Sequence, residues 1–180
     1  HILVHVYIGL VGMYALLRSM ELRATAAFFG ALAFGLGGIY LSYINLLPIL
    51  FCAAWLPLIC LFVRRFLMKP TLRDFALSSL FLGMQFLVGE PTTVMQTGFL
   101  IGMYALYRGW YAARDAEARW TAAIPEMMAR VAFIALISIA AIAVGSAQMI
   151  PAVDHVSDSA RSRSFDFSLV SAWSMPWAKI

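Results

Sequence analysis

Residues 126–150, EMMARVAFIALISIAAIAVGSAQMI, decide the fold. From Val131 to Ile150 the stretch carries no charge, and a helix of that length rises about 30 Å, the thickness of a bilayer's hydrocarbon core. Working outward, comparable apolar runs recur at 2–17, 24–44, 46–63, 72–89 and 92–111. None shows the alternation of apolar and polar positions that marks a membrane β-barrel. The predicted architecture is all-α: a polytopic transmembrane helix bundle of about six spans over residues 1–150, followed by a polar extracytoplasmic segment over 151–180. The first span is short of a full crossing, and the fourth reaches length with Arg73 and Asp74 at headgroup depth.

Composition leads to the same class. The chain of 180 residues is 63% apolar and 12% charged, against roughly 45–50% and about 25% in soluble domains. Its mean hydropathy is +0.85. A net charge of +4 would suggest nucleic acid in a soluble protein. Here the basic residues lie between apolar blocks, so they act as topology signals; membrane lipid is the expected partner and nucleic acid is not. The chain starts inside an apolar run without Met, a basic n-region or a small-residue cleavage site. It is therefore expected to be a fragment and not to open on a signal peptide.

The loops sort by charge. Arg18 and Arg23 follow the first span, Arg64, Arg65, Lys69 and Arg73 surround the third loop, and Arg108, Arg114, Arg119 and Arg130 flank the fifth. The loops around Asn45 and around Glu90-Pro91 hold no Lys or Arg, and the tail holds Arg161, Arg163 and Lys179. Because Lys and Arg are retained on the cytoplasmic side, the chain is expected to start outside and to end outside. Dropping or adding one span would scramble this sorting.

Within the spans, Gly98 with Gly102, Ala33 with Gly37 and Ala141 with Gly145 are small-xxx-small steps. They suit close helix packing, with a substrate-facing groove as the alternative. The segment 109–125 mixes Trp110, Tyr111 and Trp120 with charges and reads as an interfacial helix. Pro125 would then occupy the first turn of span six. Pro57, inside span three, predicts a kink or local break.

Residues with chemical potential are few. Cys52 and Cys60 lie roughly 12 Å apart on one helix, so they cannot bridge each other and read as small buried hydrophobes. His1 and His5 share a face but lack a third ligand, so no metal site is assigned. Asp154, His155 and Ser157 hold the residue types of a hydrolase triad, yet such triads are assembled across a fold and not along a few residues. Glu90, in a tight outer turn, reads either as a solvated turn residue or as a carboxylate aimed into an outer cavity. In the tail, Arg161 and Arg163 have the fork geometry that suits a phosphate, or they are balanced by Asp154, Asp158 and Asp166.

One family resemblance follows from motifs in order. Gly12-Met13-Tyr14-Ala15-Leu16-Leu17-Arg18, Ala54-Trp55-Leu56-Pro57-Leu58, Gly89-Glu90-Pro91, Gln148-Met149-Ile150-Pro151, Ser159-Ala160-Arg161 and Ala172-Trp173-Ser174-Met175-Pro176 together resemble YfhO-like bacterial membrane proteins. Those look like members of the GT-C class of polytopic glycosyltransferases. The resemblance implies a bacterial cytoplasmic membrane location and a sugar carried on polyprenyl phosphate. That sugar would be transferred at the outer face to a cell-envelope polymer or lipid. It also implies that Gln148, Ser159 and Arg161 belong to the outer functional face. GT-C enzymes generally draw their base from the first outer loop, which would precede residue 1. The catalytic residue is thus expected upstream, with Glu90 and Asp154 as the outward-side carboxylates present. A transporter or flippase subunit, and a non-catalytic membrane scaffold, are the alternative readings; no cofactor is indicated.

Overall fold

A computed structural model describes residues 1–115 and 120–158. Among these, the chain is helical with no strand: α1 (Ile2–Ser19), α2 (Ala24–Gly35), α3 (Gly38–Ser42) running into a 3₁₀ turn (Tyr43–Asn45), α4 (Leu47–Met68), α5 (Leu72–Val88), α6 (Pro91–Asp115) and α7 (Trp120–Asp158). Four stretches are long and apolar enough to cross a membrane: Ile2–Ser19, Ala24–Asn45, Leu47–Met68 and Ala123–His155. At 17 residues α5 is shorter, and α6 is diluted by Thr92, Thr93, Gln96, Thr97 and Arg108. The all-helical, membrane-compatible character expected from the sequence is therefore present.

Helices α4, α5, α7 and α6 form a ring in which each packs on the next, and α1 lies against α4 with α2 beyond it. The core of the ring joins Ile59 and Val63 of α4, Leu82 of α5, Ile101 and Ala105 of α6, and Ile137 and Ala141 of α7. A smaller cluster of Tyr40, Leu50 and Ala53 ties α3 to α4, with Val6 of α1 packed against it. The outer surface keeps Leu3, Phe29, Met103 and Ile139 exposed. Those side chains match a lipid solvent better than water.

The helix ends follow local chemistry. Thr71 caps α5: its Oγ1 accepts from the Asp74 amide at 3.1 Å and donates to Asp74 Oδ2 at 2.7 Å, a side-chain cap that also sets a carboxylate at the positive helix end. Gly89 ends α5 in the left-handed region at φ 76°, where a Cβ would be strained. Glu90 and Pro91 then start α6 directly, with Pro at the first position, where a missing N–H is harmless. So Gly-Glu-Pro is first of all a stop, a cap and a start.

Four local expectations change. The run 24–44 is not one helix but breaks between α2 and α3. Gly35, Gly37 and Gly38 each lower helix propensity by about 1 kcal/mol relative to Ala, and a Cβ at Gly37 would lie 2.5 Å from the Ala33 carbonyl oxygen. Ala33 and Gly37 thus mark a break and not a packing step. Pro57, by contrast, does not interrupt α4. The expected interfacial helix over 109–125 is instead shared between the end of α6 and the start of α7. Finally, the span expected at 126–150 is the middle of α7, which continues through Pro151 to Asp158, so residues 151–158 extend a wall instead of opening a loop. The remaining tail, 159–180, lies outside the described residues.

Of the small-residue steps, Ala141 with Gly145 packs as expected. A Cβ at Gly83 of α5 would come within 2.7 Å of Val144 Cβ and 3.2 Å of the Ala141 carbonyl, and one at Gly145 would collide with Phe86. This close approach brings α5 and α7 together. Gly98 and Gly102 differ, since a Cβ at either meets nothing within 4 Å. No described helix of this chain covers that face of α6.

Candidate functional site

The helix ends divide into an end rich in Arg and an end at which the described residues carry no Lys or Arg. At the arginine-poor end, α5 and α6 turn at Gly89-Glu90-Pro91 and the last turns of α7 rise beside them. Between them lies a groove of about 660 Å³ lined by Phe86, Gly89, Glu90, Pro91, Val94, Met95, Gln148, Met149, Ala152 and Val153. That size falls within the range of small-molecule sites. Met95 and Val153 are 57% and 70% exposed, so the groove opens sideways, on the apolar flank of the bundle.

The groove is apolar apart from two side chains. Gln148 and Glu90, separated by 58 positions in the chain (148 minus 90), both face it. Gln148 reaches the turn: its Nε2 lies 3.5 Å from where a Gly89 Cβ would stand, an ordinary contact distance. Gln148, Met149, Ala152 and Val153 follow the spacing of adjacent turns on one helical face. The last two contribute only because α7 passes Pro151. Proline withdraws one helical hydrogen bond from the Ala147 carbonyl, and near a helix end that is tolerated.

The Glu90 carboxylate has a defined structural partner. The Thr93 amide donates to Oε2 at 2.5 Å, so Glu90 caps α6 as well as lining the groove. Partial burial pushes its carboxyl up, but hydrogen bonds from Thr93 and Thr92 outweigh that and hold it below the usual carboxylate range. Glu90 is thus ionised at neutral pH and a weak base. An ionised carboxylate suits acceptance of hydrogen bonds from ligand hydroxyls more than proton abstraction.

The other residues singled out from the sequence fall elsewhere. Asp154 is exposed on α7 and is not part of the groove wall. Ser159, Arg161 and Arg163 lie outside the described residues. His5 packs in the bundle, stacked on Phe51 at 4.1 Å and edge-on to Trp55 at 6.1 Å, while its Nδ1 lies 3.0 Å from the His1 carbonyl oxygen. Cys52 is buried and Cys60 half-buried, both as free thiols.

Two features were not singled out from the sequence. Gln85 is fully buried in α5; its Nε2 donates to the Cys52 carbonyl at 2.8 Å, the Cys52 thiol donates to the Gln85 carbonyl at 3.7 Å, and Oε1 has no partner among the described residues. A lone Gln in an apolar span was its only sequence signal. The second is a crevice of about 430 Å³ beside the α2–α3 break, with Gly37, Gly38, Tyr40, Tyr43, Ala53, Thr93 and Gln96 on its walls. Pro57 deprives the Ala53 carbonyl of its helical donor there. Comparison of the chain with known protein families, with characterised proteins and with solved structures finds no match.

Proposed function

We propose that this chain is part of a six-span membrane protein of the GT-C glycosyltransferase type, with its arginine-poor end outside the cytoplasmic membrane of a bacterium. In this reading the groove between α5, α6 and α7 receives a sugar carried on polyprenyl phosphate. The observation that carries it is the meeting of Glu90 and Gln148 at the head of an apolar groove open to the flank. An isoprenoid chain suits the walls formed by Val94, Met95, Met149 and Val153, and sugar hydroxyls suit a carboxylate and an amide. Arg-based topology supports the outward placement.

Transfer would proceed by attack of an acceptor hydroxyl on the anomeric carbon. The new C–O bond forms as the bond to the polyprenyl phosphate breaks, and the phosphate leaves with the electron pair. A general base would take the acceptor hydroxyl's proton, Arg161 and Arg163 would hold the donor phosphate, and Gln148 and Glu90 would orient the sugar. Sugar transfer in membranes carrying the full-length gene tests this. Gln148→Ala and Arg161→Ala should each reduce transfer by about tenfold or more, the worth of one or two charge-assisted or buried hydrogen bonds. Unchanged transfer in both removes the groove from the proposal.

A specific observation favours the transporter or flippase reading as the alternative. The second span breaks near its middle, at Leu36-Gly37, beside a crevice with hydroxyl and amide groups. Discontinuous helices of that kind form transporter sites. Substrate flux in vesicles without covalent transfer selects this reading. A scaffold role has the open Gly98 and Gly102 face of α6 in its favour.

A further inference from the structure

The crevice beside the α2–α3 break is rich in hydrogen-bond acceptors, and among the described residues no Lys, Arg or His lines it. Helix carbonyls point toward the C-terminal end, where the last of them lack intrahelical donors. In α2 the final bond runs from the Leu36 amide to the Leu32 carbonyl at 2.8 Å. Gly37 then turns extended, at φ −65° and ψ 146°. The Gly37 and Gly38 amides therefore do not make the bonds that a continuing helix would give the Ala33 and Phe34 carbonyls. Both of those residues line the crevice. On the facing wall the Ala53 carbonyl of α4 is in the same position for a different reason, since Pro57 has no N–H to give it. Backbone acceptors left open in an apolar span are costly, and here they border one concavity of about 430 Å³.

The surroundings favour positive charge. Gln96 of α6 is exposed, and its amide has no hydrogen-bond partner among the described residues. Thr93, one turn earlier on the same wall, adds a hydroxyl oxygen. The Glu90 carboxylate, which accepts from the Thr93 amide, sets a negative charge within a turn of that wall. The C-terminal end of α2 contributes the negative end of a helix dipole. The rings of Phe34 and Tyr40, with centroids 5.0 Å apart, and of Tyr43 border the cavity, and aromatic faces attract cations. The Tyr40 hydroxyl donates to the His5 carbonyl at 3.4 Å, which uses its proton.

We propose that the crevice binds a primary ammonium group, whose N–H donors are shared among the Ala33, Phe34 and Ala53 carbonyls and the Gln96 side-chain oxygen, with the Phe34 and Tyr43 rings against its charge. A bare metal ion would leave most of the 430 Å³ unfilled, and a quaternary ammonium has no proton for the open carbonyls. A primary ammonium on a short carbon chain answers both. The same chemistry is offered by the headgroup of phosphatidylethanolamine and by a free amine. Unwound carbonyls and half-helix C-terminal ends hold cations in a comparable way in transporters. The site is independent of the sugar-transfer reading, because Val94 and Met95 of α6 line the groove whereas Thr93 and Gln96 line the crevice.

The test uses the whole protein in maltoside micelles, in amine-free phosphate buffer at fixed ionic strength. Calorimetric titration with ethanolamine should give saturable binding, and ethylene glycol, choline and sodium chloride should give none. Native mass spectrometry of protein taken from mixed phosphatidylethanolamine and phosphatidylglycerol bilayers reads which lipid is retained. Pro57→Ala supplies the missing donor to the Ala53 carbonyl at a residue that is not itself part of the wall; Gln96→Leu removes an exposed acceptor without touching the core. Each should weaken binding about tenfold, as loss of one charge-assisted hydrogen bond predicts. Asp154→Asn, which removes a charge elsewhere at the arginine-poor end, should leave binding intact. Saturable binding of ethanolamine assigns a free amine, and selective retention of phosphatidylethanolamine without it assigns a lipid headgroup. Absence of both overturns the proposal. So does equal binding of choline or ethylene glycol, an equal loss in Asp154→Asn, which is diffuse attraction and not a site, or parent-level binding in both Pro57→Ala and Gln96→Leu.

Discussion

At the arginine-poor end, concavities of about 660, 430 and 380 Å³ lie between the helices. At the arginine-rich end Gly109 seats Met127, and Arg130 ties α7 to the last turn of α4. Side-chain polarity adds to glycine packing at one end, whereas just below the rim of the other Gly83 and Gly145 let α5 and α7 touch. The described concavities thus lie where charges are scarce. This also separates the determinants of topology from those of the groove.

The sharpest way to break this comparison is to ask whether the two ends face different compartments. In a cysteine-free background, a membrane-impermeant thiol reagent applied to intact cells should modify Asp154→Cys and spare Met68→Cys, an all-or-none contrast at two exposed positions. The reverse pattern would invert the bundle and remove the proposed sugar chemistry. Next in size is packing. Gly145→Val forces a side chain into Phe86 and should destabilise by about 1–3 kcal/mol, the usual cost of overpacking. Arg130→Met, at the other end, should cost about 1–2 kcal/mol through the lost bond to the Leu67 carbonyl. If the two losses are reversed in thermal unfolding of the reconstituted protein, the contrast between glycine-held and arginine-held ends fails.

Much of this architecture was legible because apolar blocks and arginines are additive signals, each readable without knowing its neighbours. The boundaries near Arg18, Lys69 and Glu90 follow from them within a few residues. The break at Leu36-Gly37 was hidden because Ala33 and Gly37 have the spacing of a packing step; the local backbone geometry, with the Ala33 carbonyl occupying the space beside Gly37, is not encoded in that spacing. Pro151 hid the end of α7 for the opposite reason, since a proline near a helix end loses a bond that an exposed carbonyl can recover elsewhere. Glu90 and Gln148 were each readable as unusual residues. Their meeting was not, because it depends on how α5 and α7 cross at Gly83 and Gly145, and no local pattern encodes that register.

The turn that carries Glu90 gives smaller and more specific effects. Gly89→Ala places a Cβ at φ 76° and should cost about 1–2 kcal/mol in thermal unfolding, the penalty of the left-handed region. Space is not the cause, because the new atom would stand 3.5 Å from Gln148 Nε2, an ordinary contact. Glu90→Gln is the smallest change, with loss of the charged cap costing a few tenths to about 1 kcal/mol. Its signature is pH. Because the Glu90 carboxyl titrates lower in the folded protein than in the unfolded chain, its contribution is present in full above the unfolded value and fades as pH falls through the folded one. The difference in stability between the parent and Glu90→Gln should therefore be constant near neutrality and shrink in acid. A difference that persists unchanged through that acid range would mean the carboxylate contributes through shape and not charge, leaving it no electrostatic role toward a ligand in the groove.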